Sequence, residues 1–172
     1  PIVAAKLGAT GAAAFDISAA CAGFCHGLAQ AESLVRSGAA HHVLVIGVET
    51  LSKITDLSDR STAFLFADGA GAAVVGPSET NGIGPVVWGS DGDQADVIFM
   101  TSDLIESGRA GTPSLLHMQG QPVFRWATGF IADAAKRALS AAGLTPDQLD
   151  VFSPHQANIR IINAACDTLK IP

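Results

Sequence analysis

The 172 residues are 48% hydrophobic and 15% charged, enough to bury a core, and length alone predicts one domain. A formal net charge of -6 argues against nucleic-acid binding as the main role, although an acidic whole still admits a local basic contact. There is no apolar run near the roughly 18 residues of a membrane span and no secretory pattern at the start, and three unevenly spaced cysteines make no disulfide framework, so a reducing, cytoplasmic setting is expected.

Residues 12–17 (A-A-A-F-D-I) read as a short buried strand that runs into Ser18–Cys21. Phe24, Leu28, Ala31 and Val35 follow at helical spacing, with Gly38 placed to end the helix. Residues 42–47 (H-V-L-V-I-G) form an apolar, β-branched run, as in a strand covered on both faces. The polar stretch 49–61 reads as a surface loop. Residues 63–66 and 70–76 are predicted strands separated by an Asp68-Gly69 turn. Residues 82–89 suggest another strand, and 90–113 an irregular excursion. Val123, Phe124, Ala127, Ile131, Ala134 and Ala138 define a long amphipathic helix ended by Gly143. Thr145 and Pro146 open a short helical turn, 151–154 is a short strand, and 157–170 a last helix. The alternation predicts an α/β fold with a largely parallel sheet.

Cys21 follows a predicted strand and opens a predicted helix. A thiol there meets the positive end of the helix dipole, which favours the reactive thiolate, and thioesters are natural targets of thiolates. His155 sits at a strand end, where ligands of open α/β sheets gather. Taken alone, a Cys among alanines is more often a small buried hydrophobe, and such a His as often bonds a backbone carbonyl. Local sequence leaves both readings open.

Five strings occur together in order: A-A-C-A-G-F at 19–24, S-D-R-S-T at 58–62, F-A-D-G-A-G-A-A-V-V at 66–75, G-Q-P-V-F-R-W-A at 120–127 and P-H-Q-A-N-I-R-I at 154–161. The set resembles the β-ketoacyl-[acyl carrier protein] synthase III family, over the whole of this chain and about the middle half of a family member. The resemblance implies a thiolase-like fold, two similar α/β halves in αβαβα layers, and a homodimer. Residues 1–118 would close the first half and include the excursion; residues 119–172 would open the second.

The resemblance also assigns roles. Cys21 is the nucleophile that accepts an acyl group from acyl-CoA. His155 steadies the enolate formed when malonyl-[acyl carrier protein] loses CO2, giving 3-oxoacyl-[acyl carrier protein] and starting fatty-acid synthesis. Arg60 lies against the CoA adenine, and Phe66, Gly120 and Phe124 line the pantetheine tunnel. Ala157 and Asn158 flank the pantetheine arm, and Arg160 docks the acidic carrier protein. No cofactor or metal is implied. The family's third catalytic residue, an Asn in a G-N-T-S string, falls beyond this sequence; losing one of two oxyanion donors costs roughly 3–4 kcal/mol. With Pro1 in place of an initial Met, this predicts a fragment that is inactive alone.

Rival readings are weaker. Cys21, Cys25 and His26 spell C-x-x-x-C-H, which is neither the C-x-x-C-H of haem attachment nor half of a paired zinc site. Cys25-His26 is instead a local departure from the family that bears on the acyl pocket. His41-His42 reads as a solvated pair, Cys166 as core, and His117 as a residue without an assigned task. Gly69, Gly71 and Gly76 lack the Lys-bearing helix of a phosphate loop. A polyketide starter synthase or an acyltransfer-only relative would keep Cys21 and His155, and a non-catalytic carrier-binding protein is a third possibility.

Overall fold

The computed structural model describes residues 1–101 and 103–171. In chain order the elements are α1 (Ile2–Lys6), α2 (Gly23–Arg36), β1 (Val43–Thr50), β2 (Asp68–Val75), β3 (Ile98–Met100), α3 (Leu104–Ala110), β4 (Leu116–Met118), α4 (Gly120–Ala142) and α5 (Ile159–Leu169). Short 3-10 segments occupy Ala20–Ala22, Leu51–Lys53, Gly92–Val97 and Pro146–Gln148. The contacts divide the chain into two units: Pro1–Gly47 with Ala72–Pro77, and Val48–Gly71 with Ser78–Pro172. None of the helices among the described residues is long and apolar enough to cross a membrane.

In the first unit α2 packs on β1 through small residues. Gly27, Ala29 and Ala31 are its buried positions, and a Cβ on Gly27 would lie 2.7 Å from Val45 Cγ1. The predicted helix is present and Gly38 follows it at φ 75°, but the buried face differs. Ala31 is fully buried, whereas Phe24 is 40% exposed. Only glycine allows the strand to approach this closely, so the seam with β1 passes through Gly27.

β1 and β2 form a two-stranded sheet. His42 meets Gly76 at one end and Glu49 meets Gly69 at the other, so the two strands run in opposite directions. β3 and β4 pair antiparallel, with Phe99 opposite His117. Parallel pairing among the described residues is confined to the bridge Thr55–Leu116. The mixed α/β character holds, but the expected largely parallel sheet is replaced by these two ribbons. Residues 12–17, 82–89 and 151–154 lie outside any ladder. Their side chains are correspondingly open, with Phe15 63% and Val151 78% exposed. An apolar run forms a strand only where a neighbour takes its N–H and C=O groups.

Two boundaries moved for identifiable reasons. The predicted strand at 63–66 is mostly turn, because Asp59 gathers the chain that precedes it: its carbonyl accepts from the Thr62 and Ala63 N–H groups. Asp68-Gly69 is the start of β2 rather than a turn. Asp68 accepts from the Ser52 N–H at 2.8 Å and the Ser52 hydroxyl at 2.6 Å, which fixes that end beside the 3-10 turn following β1. The excursion 90–113, of which Ser102 lies outside the described residues, contains β3 and α3. Asp103 caps α3 by accepting from the Ile105 N–H at 2.7 Å, and Gly111 closes it at φ 67°.

In the second unit α4 and α5 pack together, burying Ala132, Leu139, Ile161, Ala165 and Leu169. Helical periodicity predicted α4, and Gly143 ends it in the left-handed conformation at φ 68°. Thr145 and Pro146 open a 3-10 turn as expected, with Gln148 Oε1 accepting from the Thr145 N–H and hydroxyl.

Candidate active site

Cys21 lies in the first unit, in the turn Ala20–Ala22 that leads into α2, and it is exposed. The Ala22 N–H donates back to the Ala19 carbonyl at 3.0 Å. Ala22 occupies the N-cap of α2 and supplies no capping side chain. The first-turn N–H groups, which carry the positive end of the helix dipole, therefore begin beside the cysteine. One helical turn further on, Cys25 is exposed, and His26 Nδ1 lies 3.0 Å from the Ala22 carbonyl. The His26 ring thus folds back onto the turn that holds Cys21. No group of three or more His, Cys, Asp or Glu side chains suited to a metal gathers among the described residues.

The other sequence-predicted residues lie in the second unit. Arg60 is exposed on a loop braced by two aspartates. Asp56 accepts from the Ser58 hydroxyl at 2.6 Å and N–H at 2.8 Å; Asp59 accepts from the Ser61 hydroxyl at 2.6 Å and N–H at 2.9 Å. The serine hydroxyls, followed by those N–H groups, hold both carboxyls below the ordinary aspartate value. Thr62, 1% exposed, donates to the other Asp59 oxygen at 2.9 Å. The S-D-R-S-T string is therefore a self-bonded turn that presents Arg60 outward. Phe66, half-buried, follows it.

Gly120 and Phe124 stand four apart in the first turns of α4, on one helix face; Gly120 is exposed and Phe124 half-buried. His155 is exposed in the irregular segment before α5, and Ala157 beside it is exposed as well. Asn158 is the N-cap of α5, and its Oδ1 accepts from the Arg160 N–H at 2.8 Å. Sequence reasoning missed this capping role, although an Asn directly before an apolar-periodic run is its usual signal. Arg160 is exposed in the first helical turn, where a cation opposes the helix dipole.

Two family models match the chain. That of 3-oxoacyl-[acyl-carrier-protein] synthase III covers residues 15–92, and that of its C-terminal part covers residues 139–172. A β-ketoacyl-[acyl-carrier-protein] synthase III of Streptomyces coelicolor is 54% identical over 99% of this chain and 53% of its own length. The Mycobacterium avium relative is 49% identical, over 99% and 52%. Among solved structures, the priming β-ketosynthase of the R1128 polyketide pathway matches with a TM-score of 0.95 and 49% identity, covering 99% of this chain and 52% of that one. The synthase III of Pseudomonas aeruginosa matches with a TM-score of 0.90 and 42% identity, over 100% and 53%. The chain thus spans about half the length of the curated relatives it matches. Its fold is the corresponding part of a thiolase-like condensing enzyme. On sequence and fold together, the chain belongs to the 3-oxoacyl-[acyl-carrier-protein] synthase III family.

Proposed function

We propose that the full-length protein containing this chain is an acyltransferase that condenses an acyl-CoA primer with malonyl-[acyl carrier protein]. The observation that carries this reading is the placement of Cys21, exposed, on the turn that leads into α2. Its thiolate attacks the acyl-CoA carbonyl, the tetrahedral oxyanion collapses, and CoA leaves as a thiolate. Malonyl-[acyl carrier protein] then loses CO2, and His155 donates a hydrogen bond to the enolate oxygen as charge develops there. The enolate carbon attacks the acyl-cysteine, releasing 3-oxoacyl-[acyl carrier protein] and restoring the thiolate. Atoms and electrons balance with the two thioesters alone, so the reaction calls for no cofactor or metal.

In this reading Arg60 meets the CoA adenine, the guanidinium plane suiting both stacking and phosphate contact. Phe66, Gly120 and Phe124 line the pantetheine tunnel, Ala157 and Asn158 flank the arm, and Arg160 receives the acidic carrier protein. Residues 1–118 close the first thiolase-like half and 119–172 open the second, a division supported by the separate family models over 15–92 and 139–172. The active species is a cytoplasmic homodimer. Incubating the full-length protein with radiolabelled acyl-CoA should label Cys21, and Cys21→Ser should abolish the label; label persisting on that variant would sink the assignment. His155→Ala should slow condensation more than acylation.

The likeness to the R1128 priming ketosynthase favours one second reading, in which the acceptor chain belongs to polyketide rather than fatty-acid synthesis. Both release CO2 from malonyl-[acyl carrier protein], so turnover with a fatty-acid and with a polyketide carrier protein separates them.

A further inference from the structure

Residues 88–97, which belong to the second unit with α4, are bonded to that helix at three heights. Gln119, the N-cap of α4, donates its N–H to the Val97 carbonyl at 2.8 Å and its side-chain amide to the Asp96 carbonyl at 2.9 Å. The Trp126 indole N–H donates to Asp91 Oδ2 at 2.8 Å, and its ring stacks on Phe130 with centroids 5.0 Å apart. Further along, Arg137 donates to the Trp88 carbonyl at 3.2 Å. Asp91 is itself held from behind, because its Oδ1 accepts from the Asp93 N–H at 3.2 Å as the N-cap of the 3-10 segment Gly92–Val97. Around the helix, Trp126 and Arg137 fall within about 20° of Gln119, whereas Phe124 lies about 160° from Trp126. One face of α4 is therefore tied down, and the opposite face carries Phe124.

We propose that Trp126 is a positioning residue for the pantetheine tunnel: its bond to Asp91 sets the rotation of α4 about its own axis, and so the place of Phe124. The bond is charge-assisted, and the indole is a rigid arm compared with the long Arg137 side chain. Side chains reach roughly 5–6 Å from a helix axis, so a rotation of about 10° displaces Phe124 by about 1 Å. Misplacement by that much costs up to about a hundredfold in rate. The inference rests on the reading in which Phe124 lines the tunnel.

The test compares three substitutions in the full-length protein. Trp126→Phe keeps a ring against Phe130 and removes the N–H; Asp91→Ala removes the acceptor; Asp91→Asn keeps an acceptor oxygen. The KM values for acyl-CoA and malonyl-[acyl carrier protein] should rise together by about tenfold in Trp126→Phe and in Asp91→Ala, with kcat less affected. Asp91→Asn should stay within about twofold of wild type, and the Trp126→Phe/Asp91→Ala double variant should lose no more than either single one. Alkylation of Cys21 by iodoacetamide, which threads no pantetheine, should keep its rate throughout. Unchanged KM values in Trp126→Phe and Asp91→Ala would overturn the inference, as would additive losses or alkylation falling in step with KM. Should Trp126→Phe fail to fold, the two Asp91 variants decide: a raised KM in Asp91→Ala alone supports the inference, and equal values overturn it. Absence of acyl label on Cys21 in the wild-type protein would instead sink the acyl-transfer reading, whereas label with unchanged KM in the variants would sink the inference alone.

Discussion

Gly27→Ala is the substitution whose sign depends most on a single contact. Alanine is the better helix former by about 1 kcal/mol, so in an open helix the change would stabilise. Here the new Cβ would stand 2.7 Å from Val45 Cγ1, inside the roughly 3.5–4.0 Å of an ordinary carbon contact. Val45 is 7% exposed, and its β-branched side chain has little χ1 freedom with which to retreat. Overpacking of this kind costs about 1–3 kcal/mol, so the net effect in the native background is a destabilisation of up to about 2 kcal/mol. Val45→Ala removes the offending methyl, and in that background Gly27→Ala should stabilise by up to about 1 kcal/mol. Urea denaturation of the four proteins in the cycle measures both values. Equal stabilisation in the two backgrounds would refute the seam and return α2 to a face built on Phe24.

Two further substitutions separate structural from functional effects. Arg160→Glu puts an anion where the α5 dipole favours one, so stability should rise by about 0.3–1 kcal/mol while the KM for malonyl-[acyl carrier protein] rises; an unchanged KM would remove Arg160 from the docking surface. The Ser52 hydroxyl and then its N–H hold the Asp68 carboxyl below its ordinary value of 3.8. A carboxyl lowered in the folded state adds stability above that ordinary value and loses it as pH falls through the folded one. Amide exchange at Ser52 should therefore show constant protection near neutrality and faster opening only below about pH 4, and Asp68→Asn should abolish that dependence.

Legibility followed the range of the interactions involved. α4 was readable because its apolar period and terminal Gly143 are local. β3 and β4, three residues each, were not: each exists because the other supplies its hydrogen bonds across a gap that contains α3. Asp103 before Leu-Ile-Glu did offer a capping signal for α3, obscured by the glycines and prolines around it. The predicted strand at 63–66 failed for the opposite reason. Its own residues suit a strand, but Asp59, four residues upstream, binds the chain into a turn.

At the site, the family was legible in the ordered strings, while the backbone that carries them was not. Nothing in A-A-C-A-G-F marks which alanine takes positive φ, since alanine has no side-chain preference for it. The P-H-Q-A-N-I-R string was the converse case, because one of its residues has a structural task that the chemistry concealed. Asn158 Oδ1 is engaged by the Arg160 N–H and starts α5, which places His155 just ahead of a helix and Arg160 on its first turn. Its Nδ2 is the part that can serve a passing pantetheine carbonyl as donor. Aspartate at 158 keeps the cap but has no amide N–H to donate, whereas serine keeps a smaller cap and one hydroxyl donor. If Asn158 flanks the pantetheine arm as proposed, the spacing of the string serves helix initiation as well as substrate contact, and the two demands meet on the opposite ends of one amide.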